Sequence, residues 1–338
     1  MASWANKPAS QFPTNHADFV HDVKYDFYGK RLATCSSDQS VRVWDLDDKG
    51  EWTVKSGCEW KNAHQGMIWR LAWAHPEFGQ VIATCSADRT VKVWEEQEGM
   101  RLYTDEATAQ NKTTWYPKAQ LSDSRKQVAD IDFAPRHLGL KLATGSADGN
   151  VRIYEAIDIM NLNHWPLQEV FEVGRNAGVT CLCWNRSGFD QPMIVVGTDK
   201  GDLLVWRYDD VMRVWVLAAE LKGHEHGVND VDWAPNMGRS YHLIASCGAD
   251  KTLKVHQLKR VGGTIETGDK YPLTCNDTLG HVWRVEWNVT GTVLATSSDD
   301  SAVMLWKMDF KGDWVCVDSV SGQVEGEAAE DAMAMEPS

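Results

Sequence analysis

Six segments, RLATCSSDQSVRVWD (31–45), VIATCSADRTVKVWE (81–95), KLATGSADGNVRIYE (141–155), MIVVGTDKGDLLVWR (193–207), LIASCGADKTLKVHQ (243–257) and VLATSSDDSAVMLWK (293–307), share one register. Each reads as an apolar strand, a polar turn that carries Asp, and a second, alternating strand that in five copies ends on Trp or Tyr. Working outward, a shorter alternating run precedes every copy. These runs are VHDVKYDF (20–27), IWRLAWAH (68–75), VADIDFAP (128–135), VTCLCWNR (179–186), VNDVDWAP (228–235) and VWRVEWNV (282–289).

Behind the pairs, Trp52, Trp115, Trp165, Trp215 and Trp314 open a fourth strand, and the fifth copy offers Tyr271–Cys275 instead. Four short strands repeated six times at a period near 50 residues is the signature of a β-propeller, in which each sheet is a blade and neighbours bury each other's faces. The repeat spans about residues 16–320, leaving a flexible N-terminal segment, 1–15, and an acidic tail, 321–338, without aromatic or basic residues. Such a tail is expected to be disordered. Two polar insertions, Gln97–Thr113 and Lys259–Lys270, are expected to be flexible loops.

Composition narrows the function. A chain of 338 residues with 43% apolar content can fill a single large core without disulfides or metals. A net charge of −14 repels a phosphate backbone, and pairs such as Lys259–Arg260 are isolated, so direct nucleic-acid binding is not expected. No signal-peptide pattern opens the chain and no long apolar run suits membrane insertion, which points to a cytosolic or nuclear protein. The eight cysteines lack CxxC spacing. Cys35, Cys85 and Cys247 share one repeat position with Gly145, Gly197 and Ser297, which marks a small buried site rather than a metal ligand.

Some constellations imitate catalysis. His64, Thr84, Asp88 and Trp94 could be written as nucleophile, base and orienter. Related sets recur as His16, Thr34, Asp38 and Trp44, as His224, Ser246 and Asp250 with His256 in the Trp place, and as Thr296, Asp300 and Trp306. A reaction needs its site once, whereas a network pinning each blade's loop to its strands is needed in every blade. These sets are therefore read as structural, as in the WD-repeat propellers that the pattern resembles. Blade three has Ser124 in the His place and blade four Lys200 in the Asp place, so their networks are expected to be incomplete. One position of the first strand alternates Asp22, Arg70, Asp130, Cys181, Asp230 and Arg284, which suggests inter-blade ion pairs. No catalytic residue, cofactor or metal is assigned.

A propeller must also protect its first and last blades. The last blade owns its outer strand, DWVCVDSV (313–320), and Pro8 and Pro13 suit an N-terminal latch strand poorly. Two arrangements remain: a ring closed by packing alone, or an open ring that accepts strands from a partner. The nominated partner-blade positions are Phe19, Val41 and Val43 in blade one and Val303 and Leu305 in blade six.

The phrases LATCSSDQSVRVWD, WAHPEFGQV, FAPRHLGLKLAT, RIYEAIDIMNLNHWPLQ, APNMGRSYHLIA and VWRVEWNVTGTVLA resemble the Sec-thirteen/Sec-thirteen-homologue family of coat and nuclear pore scaffold propellers. The resemblance covers residues 16–320. It implies an all-β, open, six-bladed WD-repeat propeller completed in trans by a seventh blade from an α-helical scaffold nucleoporin of the ancestral-coatomer type. It further implies a non-enzymatic subunit of the Y-shaped pore subcomplex at the nuclear envelope, serving pore assembly, mRNA export and protein transport. A related helical subunit of a SEA/GATOR-type complex regulating TOR signalling, on the cytosolic face of the vacuole or lysosome, is a second partner implied. The alternatives are a propeller of the COPII-type vesicle coat, a closed module reading peptides through Arg70 and Arg284, and a hydrolase using one His–Asp set.

Overall fold

The computed structural model describes residues 12–98, 113–174, 176–221, 223–261, 264–273 and 280–321. Residues 1–11 of the N-terminal segment, 99–112 of the first insertion and 322–338 of the tail lie outside these. The fold is a six-bladed β-propeller: six antiparallel sheets of four strands, each sheet built from strands consecutive in the chain. The first strands are Val20–Tyr25, Ile68–Trp73, Val128–Phe133, Val179–Trp184, Val228–Trp233 and Val282–Trp287, each inside one of the alternating runs. Among the described residues the only helices are two short 3-10 turns, Pro76–Phe78 and Arg136–Leu138, and none is long and apolar enough to cross a membrane.

The chain forms two compact units, one of residues 1–122 holding blades one and two, the other of residues 123–338 holding blades three to six. In the first unit, Ala33, Cys35, Val41 and Val43 of blade one pack on Ile68, Leu71 and Ile82 of blade two. Second and third strands thus present β-branched and small residues to the first strand of the next blade. The second unit repeats the device, with Ala245, Cys247, Leu253 and Val255 of blade five against Val282, Val285 and Leu294 of blade six. Small residues are obligatory where that strand comes close. A Cβ on Gly145 would stand 2.5 Å from Val179 Cγ1, and one on Gly197 2.9 Å from Val228 Cγ1.

Inside a blade the first and fourth strands are joined by aromatic pairs. Trp73 lies 5.8 Å from Trp115, Trp184 5.8 Å from Trp215, and Trp287 5.3 Å from Trp314. Blade one uses Tyr25 and Trp52 (5.8 Å), and blade three Phe133 and Trp165 (6.4 Å). Trp165 makes its contact from just ahead of its strand, Leu167–Glu172.

One expectation is corrected. The insertion Lys259–Lys270 is mostly strand: the third strand of blade five runs Leu253–Val261 and the fourth Thr264–Leu273, paired as far out as Val261 with Thr264. Thr264 and Ile265 on one arm favour extension. The outer strand of that blade therefore begins well before Tyr271. Just ahead of residue 16 the chain touches blade one. The Phe12 ring sits 4.9 Å from that of Trp44, and Arg42 donates to the Thr14 carbonyl.

Candidate functional site

The recurrent His–Thr–Asp–Trp sets come together as relays. In blade two Trp94 Nε1 donates to Thr84 Oγ1 (3.0 Å), Thr84 Oγ1 meets His64 Nε2 (2.8 Å), and His64 Nδ1 meets Asp88 Oδ2 (3.1 Å). Blade one repeats this through Trp44, Thr34, His16 and Asp38 at 3.1, 2.9 and 3.1 Å. In blade five, Ser246 and Asp250 flank His224 at 3.0 and 2.9 Å, with His256 buried in the Trp place. A neutral imidazole that donates from Nδ1 and accepts at Nε2 satisfies all these bonds. Thr84 is 0% exposed and its oxygen already serves two partners, so it cannot meet a substrate.

The carboxylates serve backbone as well. Asp88 accepts from Gln65 N–H and Thr90 N–H (both 2.9 Å), which closes the loop over the turn. Burial would raise this carboxyl, but hydrogen bonds from His64, Thr90 and Gln65 outweigh it and hold the group well below the usual carboxylate range. Asp38 is held down in the same way by Ser40, Ala17 and His16. Asp250 is lowered to about 2, burial again being outweighed by bonds from Thr252 and His224. Burial depresses His16 and His224 below their ordinary value.

The two blades with a missing member compensate. In blade three Arg152 pairs with Asp148 (2.7 Å) and reaches Ser124 (3.3 Å), while Tyr154 donates to Asp123 (2.9 Å). In blade four Asp199, one residue before Lys200, accepts from Gly178 N–H (2.9 Å). There Val196 replaces the threonine, and the Trp206 indole N–H is buried without a partner. In blade six Trp306 donates to Thr296 (3.1 Å) and Asp300 accepts from Ala302 N–H (3.1 Å); the His place, Thr278, lies outside the described residues.

The alternating first-strand position is a backbone clamp. Asp22 accepts from Leu71 N–H (3.0 Å), Asp130 from Leu182 N–H (2.8 Å) and Asp230 from Val285 N–H (3.0 Å), each on the next blade. Asp132 and Asp232, two residues on, grip Trp184 N–H and Trp287 N–H at 3.0 and 2.7 Å. The sequence suggested charges facing charges; the carboxylates of the odd blades also bind the even blades' main chain, a donor that residue types cannot reveal.

The partner-blade nominations divide. Val41 and Val43 are core: they face blade two, as Leu253 and Val255 of blade five face blade six. Phe19 is exposed beside the turn at Ser37. Val303 and Leu305 do lie on a less covered face, and Val303 is 39% exposed where Leu253 at the same position of blade five is 1%. Beside them Val320 is 44% exposed, where Leu221 of blade four is 3%. On blade one the uncovered face is the opposite one, bearing Val23 (45%) and Tyr25 (59%), whereas Leu71 in the place of Val23 is 2% exposed. Sequence reasoning missed Val23, Tyr25 and Val320; their repeat register was the available signal. Among the described residues no cluster of His, Cys, Asp or Glu is arranged to hold a metal ion, and no described cysteine is in a disulfide.

Comparison with known proteins extends the geometry. The WD40 family (WD domain, G-beta repeat) matches residues 7–45, 57–95, 115–155, 213–257 and 273–307. The chain is 42% identical to nucleoporin SEH1 of Xenopus tropicalis and of Homo sapiens, and 43% identical to that of Bos taurus. In each case the match covers 93% of this chain and 88% of the relative.

Proposed function

The chain belongs to the WD40-repeat family and, within it, to the SEH1 nucleoporins, and from that premise we propose that it is a non-enzymatic scaffold subunit of the nuclear pore that accepts a blade in trans. The donor is an α-helical nucleoporin of the ancestral-coatomer type, within the Y-shaped subcomplex at the nuclear envelope. Pore assembly, mRNA export and protein transport are the processes such a scaffold serves. The same surface would suit a related helical subunit of a SEA/GATOR-type complex that regulates TOR signalling at the vacuole or lysosome.

The observation that carries the proposal is the uncovered apolar face on each terminal blade, Val23 and Tyr25 on the first and Val303, Leu305 and Val320 on the last. Inner blades keep these positions in the core. Covering the exposed half of one such side chain is worth on the order of 1 kcal/mol, and a β-blade brings the matching apolar side chains with it. A vesicle-coat role is the weaker reading, since the relatives reported above are nucleoporins. An enzymatic role has little support either, with the Thr84 hydroxyl sealed in its relay.

The test is co-expression with each α-helical nucleoporin of the Y-shaped subcomplex. One should form a stoichiometric complex, with Tm raised by about 5 °C or more over the chain alone. If every mixture melts as the chain alone does and no complex elutes, the proposal fails.

A further inference from the structure

In blades two and four, two tryptophans are stacked on by an aromatic residue at the end of the preceding blade's fourth strand. Trp60 lies 5.2 Å from Trp94 and 5.7 Å from Trp115. Phe171 lies 4.7 Å from Trp206 and 5.3 Å from Trp215. Both aromatics occupy the same register, Trp60 opposite Val41 and Phe171 opposite Val151. Blade one has the same two-tryptophan socket, Trp44 and Trp52, and its occupant is Phe12, at 4.9 and 6.3 Å.

Spacing and backbone contacts agree with this placement. Phe12 stands four residues before His16, as Trp60 stands four before His64. Lys92 Nζ donates to the Ala63 carbonyl (2.6 Å) and Lys254 Nζ to the Gly223 carbonyl (2.6 Å); Arg42, their counterpart in blade one, donates to the Thr14 carbonyl. The WD40 match to the first repeat likewise begins ahead of Phe12, at residue 7, as the second begins ahead of Trp60, at residue 57. In the repeat, the residue that fills this socket is the end of a preceding blade's outer strand.

We propose that Phe12 is the outer-strand terminus of a further blade whose remaining strands come from the partner, so that this protein contributes a piece of the blade it receives. The inference rests on the trans-blade reading above. The partner's blade then closes beside Phe12 over Val23 and Tyr25, and Phe12 fixes its register by occupying the Trp44–Trp52 socket.

The experiment uses the full chain in complex with the α-helical nucleoporin identified by co-expression. Phe12→Ala should weaken the complex at least tenfold, and Phe12→Trp, which restores the residue type found at position 60, should bind within threefold of the original. Phe189→Ala, an exposed aromatic on blade four, is the matched control and should change nothing. Phe12→p-benzoylphenylalanine, irradiated in the complex, should cross-link to the partner. The photo-adduct does not depend on whether Phe12→Ala folds. Cross-links confined to blade one, or Phe12→Ala binding within twofold of the original, would overturn the proposal while leaving the trans-blade reading standing. If the unmodified chain forms no complex at all, both fall.

Discussion

Thr84 shows how much a single hydroxyl does in a blade. It accepts from the Trp94 indole and bonds His64, both buried, so Thr84→Val strands two polar groups while keeping the shape. A loss of about 2–4 kcal/mol is expected from urea unfolding, whereas Val196→Thr in blade four, offering the Trp206 N–H an acceptor, should be neutral or stabilising. The same networks set the acid limit. His16 and His224 are depressed in the fold from 6.5, so their contribution is complete above about pH 6.5 and declines as the pH falls below it. Asp38, Asp88 and Asp250 are depressed from 3.8, and their contribution is lost as the pH falls below that value. The urea midpoint should therefore step down twice on acidification; a midpoint flat from pH 7 to 4.5 would contradict the histidine assignment. These relays were legible in the sequence because recurrence itself separates structure from catalysis. Their substitutes were not, since Asp123 and Asp199 enter from positions that the repeat does not reserve, and Arg152, which shares its place with Arg42 and Lys92, turns instead to Asp148.

Strand positions were legible for a similar reason, because alternation with period two is visible along a single chain. What alternation leaves open is the identity of the neighbour. Val41 and Val43 could be recognised as one face of a strand, but not as the face turned to blade two. The joints between blades depend on side chain to main chain bonds, which leave even less trace. Asp230→Ala should free the Val285 N–H in a buried joint and cost about 1–3 kcal/mol, without altering the register within either blade. Methyl-bearing residues at the close approaches have the opposite defect. Gly145→Ala places a Cβ 2.5 Å from Val179 Cγ1 and should cost about 1–3 kcal/mol by overpacking, read in the same unfolding assay.

At the scale of the molecule, equivalent positions part company according to whether a blade follows them. Leu253→Glu should prevent folding, as a charge placed in the joint between blades five and six. Val303→Glu, at the same repeat position, should change the stability of the isolated chain by no more than about 0.5 kcal/mol yet abolish partner binding. A comparable loss of stability in both variants would show that the Val303 face is already covered. The clamps carry a last consequence. Asp130 and Asp132 tie blade three to four, and Asp230 and Asp232 tie five to six. Between four and five, cysteines 181 and 183 stand in the aspartate places, so the joint is held through a weaker sulfur contact, Cys183 Sγ to Asp232 Oδ1 at 3.4 Å, and the Trp233 indole N–H has no partner. Blades three to six are in this sense two doublets with a soft seam. Native-state hydrogen exchange should find the seam, with amides at Val231 and Trp233 opening while those of Leu182, Trp184, Val285 and Trp287 stay closed. A fold written with a period of one blade would then come apart with a period of two.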